Sequence, residues 1–410
     1  MEAKPIQLAR QPIYDASLEV VAFELLYRST SPDAAAVEDG DEASSRVLLT
    51  TFGGESILEI TDGKPVFINF TGHLIVNPPP VDPRHLVVEV LEDVSVTSEL
   101  LQGVRRLRER GYRIALDDFQ HHPSLTPLVE LADIVKLDVL ELGEVQLRAE
   151  VRQLRNYPLR LLAEKIESWE MFNHCVDLGF SYFQGFFLAR PQLLHGKRMT
   201  PARTAVITLM ARIAQPDISV VELAATIQTD PVLSFNLIKL VNSPIHRRAV
   251  AVESLRDAIF TLGVDRVRGW CHLLVLSRLD GKPSELTRIA MNRARFCELL
   301  GSQIDRSMSG RCFTLGILST LDAFLDETLD SIITTMGLSV ELNDALLARR
   351  GTLGLILTTV LAFETAAWMQ VPWPQLAALG VNQQLAEEAY LESLRGVSEA
   401  LGRDGSKMFD

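Results

Sequence analysis

Short apolar runs with strand character alternate with helical stretches through the first half of the chain. The runs are VVAFELLYR, VFINF, HLVVEVLE, YRIALDDF, DIVKLDV, LRLLAEKI and SYFQGFFLA, lying between Ile6 and Leu188. They recur at intervals of roughly 20–27 residues, which predicts a parallel α/β sheet or barrel rather than a meander. The intervening helices carry their own signals. In SELLQGVRRLRERGY, Leu100, Leu101, Val104 and Leu107 share one face. Ser98 is placed to cap the start of that helix and Gly111 to end it. The stretch NPPPVDP at 77–83 is a loop, because proline fixes φ and donates no hydrogen bond.

After about Leu193 the strand signals fade. LLHGKRMTPAR is basic and turn-rich, and the boundary is placed there, giving domains 1–195 and 196–410. The second domain reads as consecutive helices. Ser219–Glu222 (SVVE) is a capping box, and Asp230–Pro231 offers an N-cap followed by proline at the first helical position. Leu255, Ala258, Ile259 and Leu262 repeat at helical spacing, with Gly263 to end the helix. Trp270, Trp368 and Trp373 are expected in the core.

The strand-like runs share a peculiarity. Each holds a polar residue among large hydrophobes: Glu24, Asn69, Glu89, Asp117 with Asp118, Lys136, Glu164 and Gln184. A lone buried carboxylate costs several kcal/mol or takes up a proton. In a (βα)₈-type barrel the C-terminal strand ends meet at one mouth, so these residues would converge there. Converging carboxylates would repel one another unless cations lay between them. An all-oxygen donor set suits Mg²⁺ or Mn²⁺ rather than zinc, and the pair Asp117–Asp118 could bridge two such ions. Two ions would serve phosphodiester hydrolysis by in-line displacement. The bland alternative is that individual members are strand-end residues in ordinary ion pairs.

Composition narrows the classes. The chain is 410 residues, 47% hydrophobic and 23% charged, with net charge −13. Residues 1–200 hold 20 basic and 30 acidic side chains, and the remainder 20 and 23. That balance argues against a broad DNA or RNA surface. The four cysteines, Cys175, Cys271, Cys297 and Cys312, show no C-x-x-C spacing and read as reduced core thiols. The N-terminal stretch has no apolar run of signal-peptide length. The greasiest stretch, near Gly354–Phe363, falls short of the roughly 18–20 apolar residues of a membrane span. A cytoplasmic location is the expectation.

From Gln11 to Pro191 these segments resemble an EAL domain, the family that hydrolyses cyclic di-GMP. QPIYD resembles its opening strand, and Glu24-Leu25-Leu26 stands at the Glu-Ala-Leu motif. INF, VVEVLE, ALDDF, IVKLD, LLAEKIE, YFQGFF and ARP follow in order. The resemblance implies a modified (βα)₈ TIM-type barrel and a two-metal phosphodiesterase. It makes Glu24, Asn69, Glu89 and Asp117 ligands of one ion, and Asp117, Asp118 and Glu164 ligands of the second. Lys136 would assist the attacking water or the phosphate, and Gln184 would sit in the same site. Gln11 and Arg28 would contact the dinucleotide. Three departures stand out: Leu25 for Ala, Lys165-Ile166 for Gly-Val, and FQHHPSLTPL where a Gly-rich loop is usual. The altered loop bears on turnover more than on binding, so a receptor or scaffold signalling by protein contact is the alternative function. His121 and His122 on that loop read as ordinary exposed histidines. The resemblance also allows a homodimer.

The second half resembles an HDOD domain, a relative of HD-type metal phosphohydrolases without their ligands. The resemblance rests on IQTDPVLSFNLIKLVNSP, SLRDAIFTLGVDRVR and LGIL at Leu315–Leu318. Ser319-Thr320 follows where catalytic relatives have His-Asp, so this half is expected to relay signals or bind a protein partner rather than hydrolyse.

Overall fold

The computed structural model describes residues 6–29, 59–92, 94–192, 201–215, 217–242, 252, 254–277, 279 and 282–401. The chain divides into two compact units that change over between Phe187 and Leu188. The boundary expected after residue 195 falls outside the described residues.

The first unit is a closed eight-stranded barrel in sequential strand order. Its strands are β1 (Ile6–Asp15), β2 (Val20–Ser29), β3 (Val66–Phe70) and β4 (Leu86–Val90), followed by β5 (Arg113–Leu116), β6 (Ile134–Asp138), β7 (Arg160–Ile166) and β8 (Tyr182–Gly185). Every expected run forms a strand. The modification lies at the start: β1 and β2 form a hairpin, and β1 is antiparallel to both β2 and β8. Four residues separate the two strands, too few for a crossover helix, so an antiparallel return is the available geometry. The remaining pairs are parallel. At the β7–β8 seam a Cβ on Gly185 would lie 2.0 Å from the Ile166 carbonyl oxygen, so only glycine closes the barrel there.

The helix after β4 spans Ser98–Glu109. Its cap is Thr97, whose side chain accepts from the Leu100 amide, rather than Ser98. Thr97 has the extended backbone an N-cap needs, and Ser98 is already helical. Gly111 follows in the left-handed region with φ +91°.

The second unit is helical throughout its described residues. Its long helix Ser284–Ile304 packs against Ser309–Leu318, Gly351–Glu364 and Gln383–Leu401. Backbones touch where Gly316 faces Ala294: a Cβ there would lie 2.3 Å from the Ala294 Cα. The Ser219–Glu222 capping box forms as expected, and Asp230 accepts from the Leu233 amide at 2.9 Å. Asn242 brackets Val252, donating to its carbonyl at 2.8 Å and accepting from its amide at 2.7 Å. Trp270 is buried, whereas Trp368 and Trp373 are half-buried, edge-on to Phe363.

By length and composition Val340–Glu364 is apolar enough to cross a membrane, against the sequence expectation. It is broken at Arg349, which has φ +56°, into helices Val340–Ala348 and Gly351–Glu364. The second buries Leu353, Ile356, Leu357, Val360 and Phe363 within the unit, as a core helix does.

Candidate functional site

Side chains along a strand alternate in and out with period two. Inside the barrel, Ala22, Phe67, Val87, Ala115, Ile134, Leu162 and Tyr182 form a buried apolar layer with Ile13. Two residues further toward the C-terminal strand ends stand Glu24, Asn69, Glu89, Asp117, Lys136, Glu164 and Gln184. On the reversed strand β1 the same step runs toward the N-terminus, from Ile13 to Gln11. Gln11 lies opposite Glu24 and Asn69 opposite Glu89, while at other seams the register steps by two residues, as in Glu89 opposite Ala115 and Lys136 opposite Leu162. One period-two rule therefore collects residues spread over most of the unit.

Lys136 is at the centre of this polar layer. Its ammonium lies 2.7 Å from Glu89 Oε1, 2.7 Å from Asp117 Oδ1, 2.9 Å from Glu164 Oε1 and 3.5 Å from Glu24 Oε1. The lysine side chain is 1% exposed. Burial works to discharge it, but attraction to Glu164, Glu24, Glu89 and Asp117 overrides this and holds its pKa well above the ordinary lysine value. The acids feel the opposite pull. Burial pushes Glu164 up to about 8 and Glu89 far above the carboxylate range, with Lys136 opposing the rise in both. Four acids around one ammonium leave the layer short of positive charge.

Asp118 lies one residue past the alternation. The backbone is fixed on both sides: the Asp117 amide donates to the Val90 carbonyl and the Phe119 amide to the Lys136 carbonyl. Asp118 itself takes φ +38°, which brings it to the same mouth. Burial, and then the neighbouring Asp117 charge, raise its pKa. A cleft of about 240 Å³ opens here, lined in part by Leu91, Glu92, Asp117, Asp118, Phe119 and Gln120.

Gln184 donates to Glu24 Oε2 at 2.5 Å and to Gln11 Oε1 at 3.0 Å, tying β8, β1 and β2 together. Arg28 pairs with Gln7 in the β1–β2 ladder, and its side chain lies outside the described residues. The two loop histidines diverge: His122 Nδ1 is 2.7 Å from Ser124 Oγ, while the His121 ring meets Phe119 edge-on.

Two members of the site escape a motif reading. Asp138 continues the inward parity two residues beyond Lys136 and pairs with Glu164 in register. It is buried and caps the helix Val139–Leu154 through the Leu140 and Glu141 amides. Lys165 reaches from β7 to bond Asp138, and its ammonium is 3.9 Å from Asp118. Parity could have flagged Asp138, but Lys165 points outward by parity and is redirected by its φ of +55°.

The donor set fits hard divalent cations. Every candidate ligand offers oxygen, and Glu89 Oε2 and Glu164 Oε2 are buried without a hydrogen-bond partner. The carboxylates are drawn onto Lys136, and no group of three His, Cys, Asp or Glu side chains among the described residues is spaced as a finished ligand set.

In the helical unit the position after Leu315–Leu318 is also cationic. Arg293, buried, donates to the Ser319 carbonyl and hydroxyl, both at 3.1 Å, and its Nη2 is 2.8 Å from Glu364 Oε2. Thr320 turns its hydroxyl back to the Ile317 carbonyl. All four cysteines are buried, and burial pushes the Cys175 and Cys312 thiols to about 12.

The EAL domain family matches residues 57–191 and the HDOD domain family residues 199–330. The EAL match begins after β2, so Gln11, Glu24 and Arg28 lie outside it. The uncharacterized protein YuxH of Bacillus subtilis is 30% identical over 94% of this chain and 97% of its own. The cyclic di-GMP phosphodiesterase CdgJ of Vibrio cholerae is 31% identical over 95% of this chain and 91% of its own. Among solved structures, an EAL domain protein from Listeria monocytogenes is 23% identical with a TM-score of 0.38, covering 46% of this chain and 88% of that one. Similarity to the Bacillus and Vibrio relatives over nearly the full length, with EAL and HDOD matches in order along this chain, makes the chain a member of the EAL–HDOD family of two-domain proteins.

Proposed function

We propose that the barrel binds cyclic di-GMP across the open ends of its strands and hydrolyses one phosphodiester bond, leaving the linear dinucleotide. The observation that carries this reading is the gathering of Glu24, Glu89, Asp117 and Glu164 on Lys136, with acid oxygens buried and unpartnered. Membership of the EAL–HDOD family and the name of the Vibrio relative support it.

In this reading Mg²⁺ or Mn²⁺ occupies two places. Glu24, Asn69, Glu89 and Asp117 would hold one ion, and Asp117, Asp118 and Glu164 the other. Bound divalent ions supply Lewis-acid stabilisation of the charge that builds in phosphoryl displacement. The chain's own groups do the rest. Lys136 presents a permanently charged donor to a phosphate oxygen or the attacking water, because its surroundings keep it protonated. Gln184 locks the Glu24 carboxylate through Nε2 and orients Gln11 with its other hydrogen. Arg28, with a forked guanidinium, suits a phosphate.

The test is incubation of the full chain with cyclic di-GMP and Mn²⁺, with product followed by chromatography. The expected result is release of the linear dinucleotide, lost in Glu24→Ala. Saturable calorimetric binding without product would convert the reading to that of a receptor. Neither binding nor product would leave a scaffold.

For the helical domain we propose a contact role without hydrolysis. Ser319-Thr320 stand where the catalytic relatives would have their His-Asp pair, and Arg293 donates to Ser319. A guanidinium fixed there on Glu364 repels a divalent ion. The same reading places the protein in the cytoplasm, with a protein partner for this domain.

A further inference from the structure

The residue after Glu164 combines two unusual features. Lys165 is held at φ +55°, a conformation that costs a side-chain-bearing residue free energy and that glycine adopts freely. Its neighbour across the mouth, Asp118, is likewise in the left-handed region at φ +38°. Backbone strain of this kind persists only where surrounding structure enforces it, and it concentrates at working sites. Here the outcome of the strain is specific. It turns an outward-parity side chain back toward the mouth, where the ammonium bonds Asp138 and lies 3.9 Å from Asp118 Oδ1. The lysine side chain is 53% exposed, so apolar burial does not place it; the carboxylates do.

We propose that Lys165 is a built-in counter-cation on the Asp118 side of the site, competing with the ion that Asp117, Asp118 and Glu164 would hold. The inference rests on the two-ion reading given above and makes its two places unequal. Lys136 lies against acids of both ligand sets and cannot by itself distinguish them. Among the described residues Lys165 is within ion-pair distance of Asp118 and Asp138, so its charge weighs more on the Asp118 place than on the other. The ion at Glu24, Asn69, Glu89 and Asp117 therefore binds first and tightly. The other enters only when metal is plentiful enough to displace the ammonium. A half-loaded protein holds the dinucleotide without cleaving it, and metal supply decides between receptor and enzyme behaviour.

The test uses the metal-stripped full chain titrated with Mn²⁺, with free ion followed by electron paramagnetic resonance. The wild type is expected to show two classes of site separated by at least about tenfold in affinity, since an ammonium paired with a ligand carboxylate opposes a divalent ion held by that carboxylate. Lys165→Gln removes the charge while keeping a side chain on the strained backbone. Lys165→Gly removes both charge and strain. Both variants are expected to tighten the weak class by about tenfold and to leave the tight class in place. An effect of glycine without an effect of glutamine would show that backbone strain is responsible and overturn the proposal. So would equal sites in the wild type, a weak class untouched in both variants, or no Mn²⁺ binding at all. Failure of the hydrolysis reading would look different: both classes filled and shifted as stated, with no linear product.

Discussion

Lys136→Met is expected to destabilise the metal-free barrel by about 3–5 kcal/mol, because it strands buried charge that had a partner. The ammonium is the common neighbour of Glu24, Glu89, Asp117 and Glu164. Methionine fills much of the volume, so packing loss is a minor part of the effect. Urea unfolding, with hydrogen exchange read on β4 to β7, measures it. Added Mn²⁺ is expected to restore much of the loss, since ions would supply the missing positive charge. A variant as stable as the parent without metal would show that the acids are neutral in the folded state and need no lysine. The pH dependence follows from the same cluster. Glu164 is raised from 4.5 to about 8, so folding favours its protonated form. Stability from this group is fully present below the unfolded value of 4.5 and is lost as pH rises through about 8. Glu89 moves in the same direction. Lys136, raised above 10.5, loses its contribution only at more alkaline pH. The metal-free barrel should therefore weaken from mildly acid pH to about 8, and Mn²⁺ should flatten that slope.

Arg293→Ala is expected to cost the helical domain about 3–5 kcal/mol by leaving Glu364 without its partner. The guanidinium grips both carboxylate oxygens, with Nε at 3.0 and 3.1 Å and Nη2 at 2.8 Å, while Nη1 holds Ser319. Burial alone would discharge this arginine, but Glu364 outweighs it and keeps the pKa raised. Arg293→Lys should recover only part of the loss, because an ammonium cannot supply the two-pronged contact and reach Ser319 as well. Thermal unfolding of the three proteins, followed by hydrogen exchange in Ser284–Ile304, decides the matter. A loss under about 1 kcal/mol would mean that the pair is replaceable by solvent and does not hold the domain together.

Much of this architecture was legible in residue order. The strand runs announced themselves by β-rich apolar stretches, and the helices by capping residues such as Ser219 and Asp230. The polar residues embedded in those runs were legible too, because a buried carboxylate is conspicuous against its hydrophobic neighbours. Asp138 and Lys165 were harder. Asp138 caps a helix, and its place in the site depends on which side of the barrel β6 presents. Lys165 lies on the outward parity of β7 and reaches the mouth only through its left-handed backbone. The cap at Thr97 rather than Ser98 shows the usual one-residue ambiguity of a Thr-Ser pair, which backbone dihedrals resolve.

Local sequence thus determined the elements, their order and the identity of most charged groups in the site. Periodicity and capping act within a few residues, and their signals survive in one dimension. Barrel closure decided the rest: the reversal of β1, the pairing of Gln11 with Glu24 and its hydrogen bond from Gln184, and the position of Lys136 among four acids. Register between strands far apart in the chain is set by packing the apolar layer beneath them. Which carboxylates share one ammonium is therefore a property of the closed sheet and of no single segment.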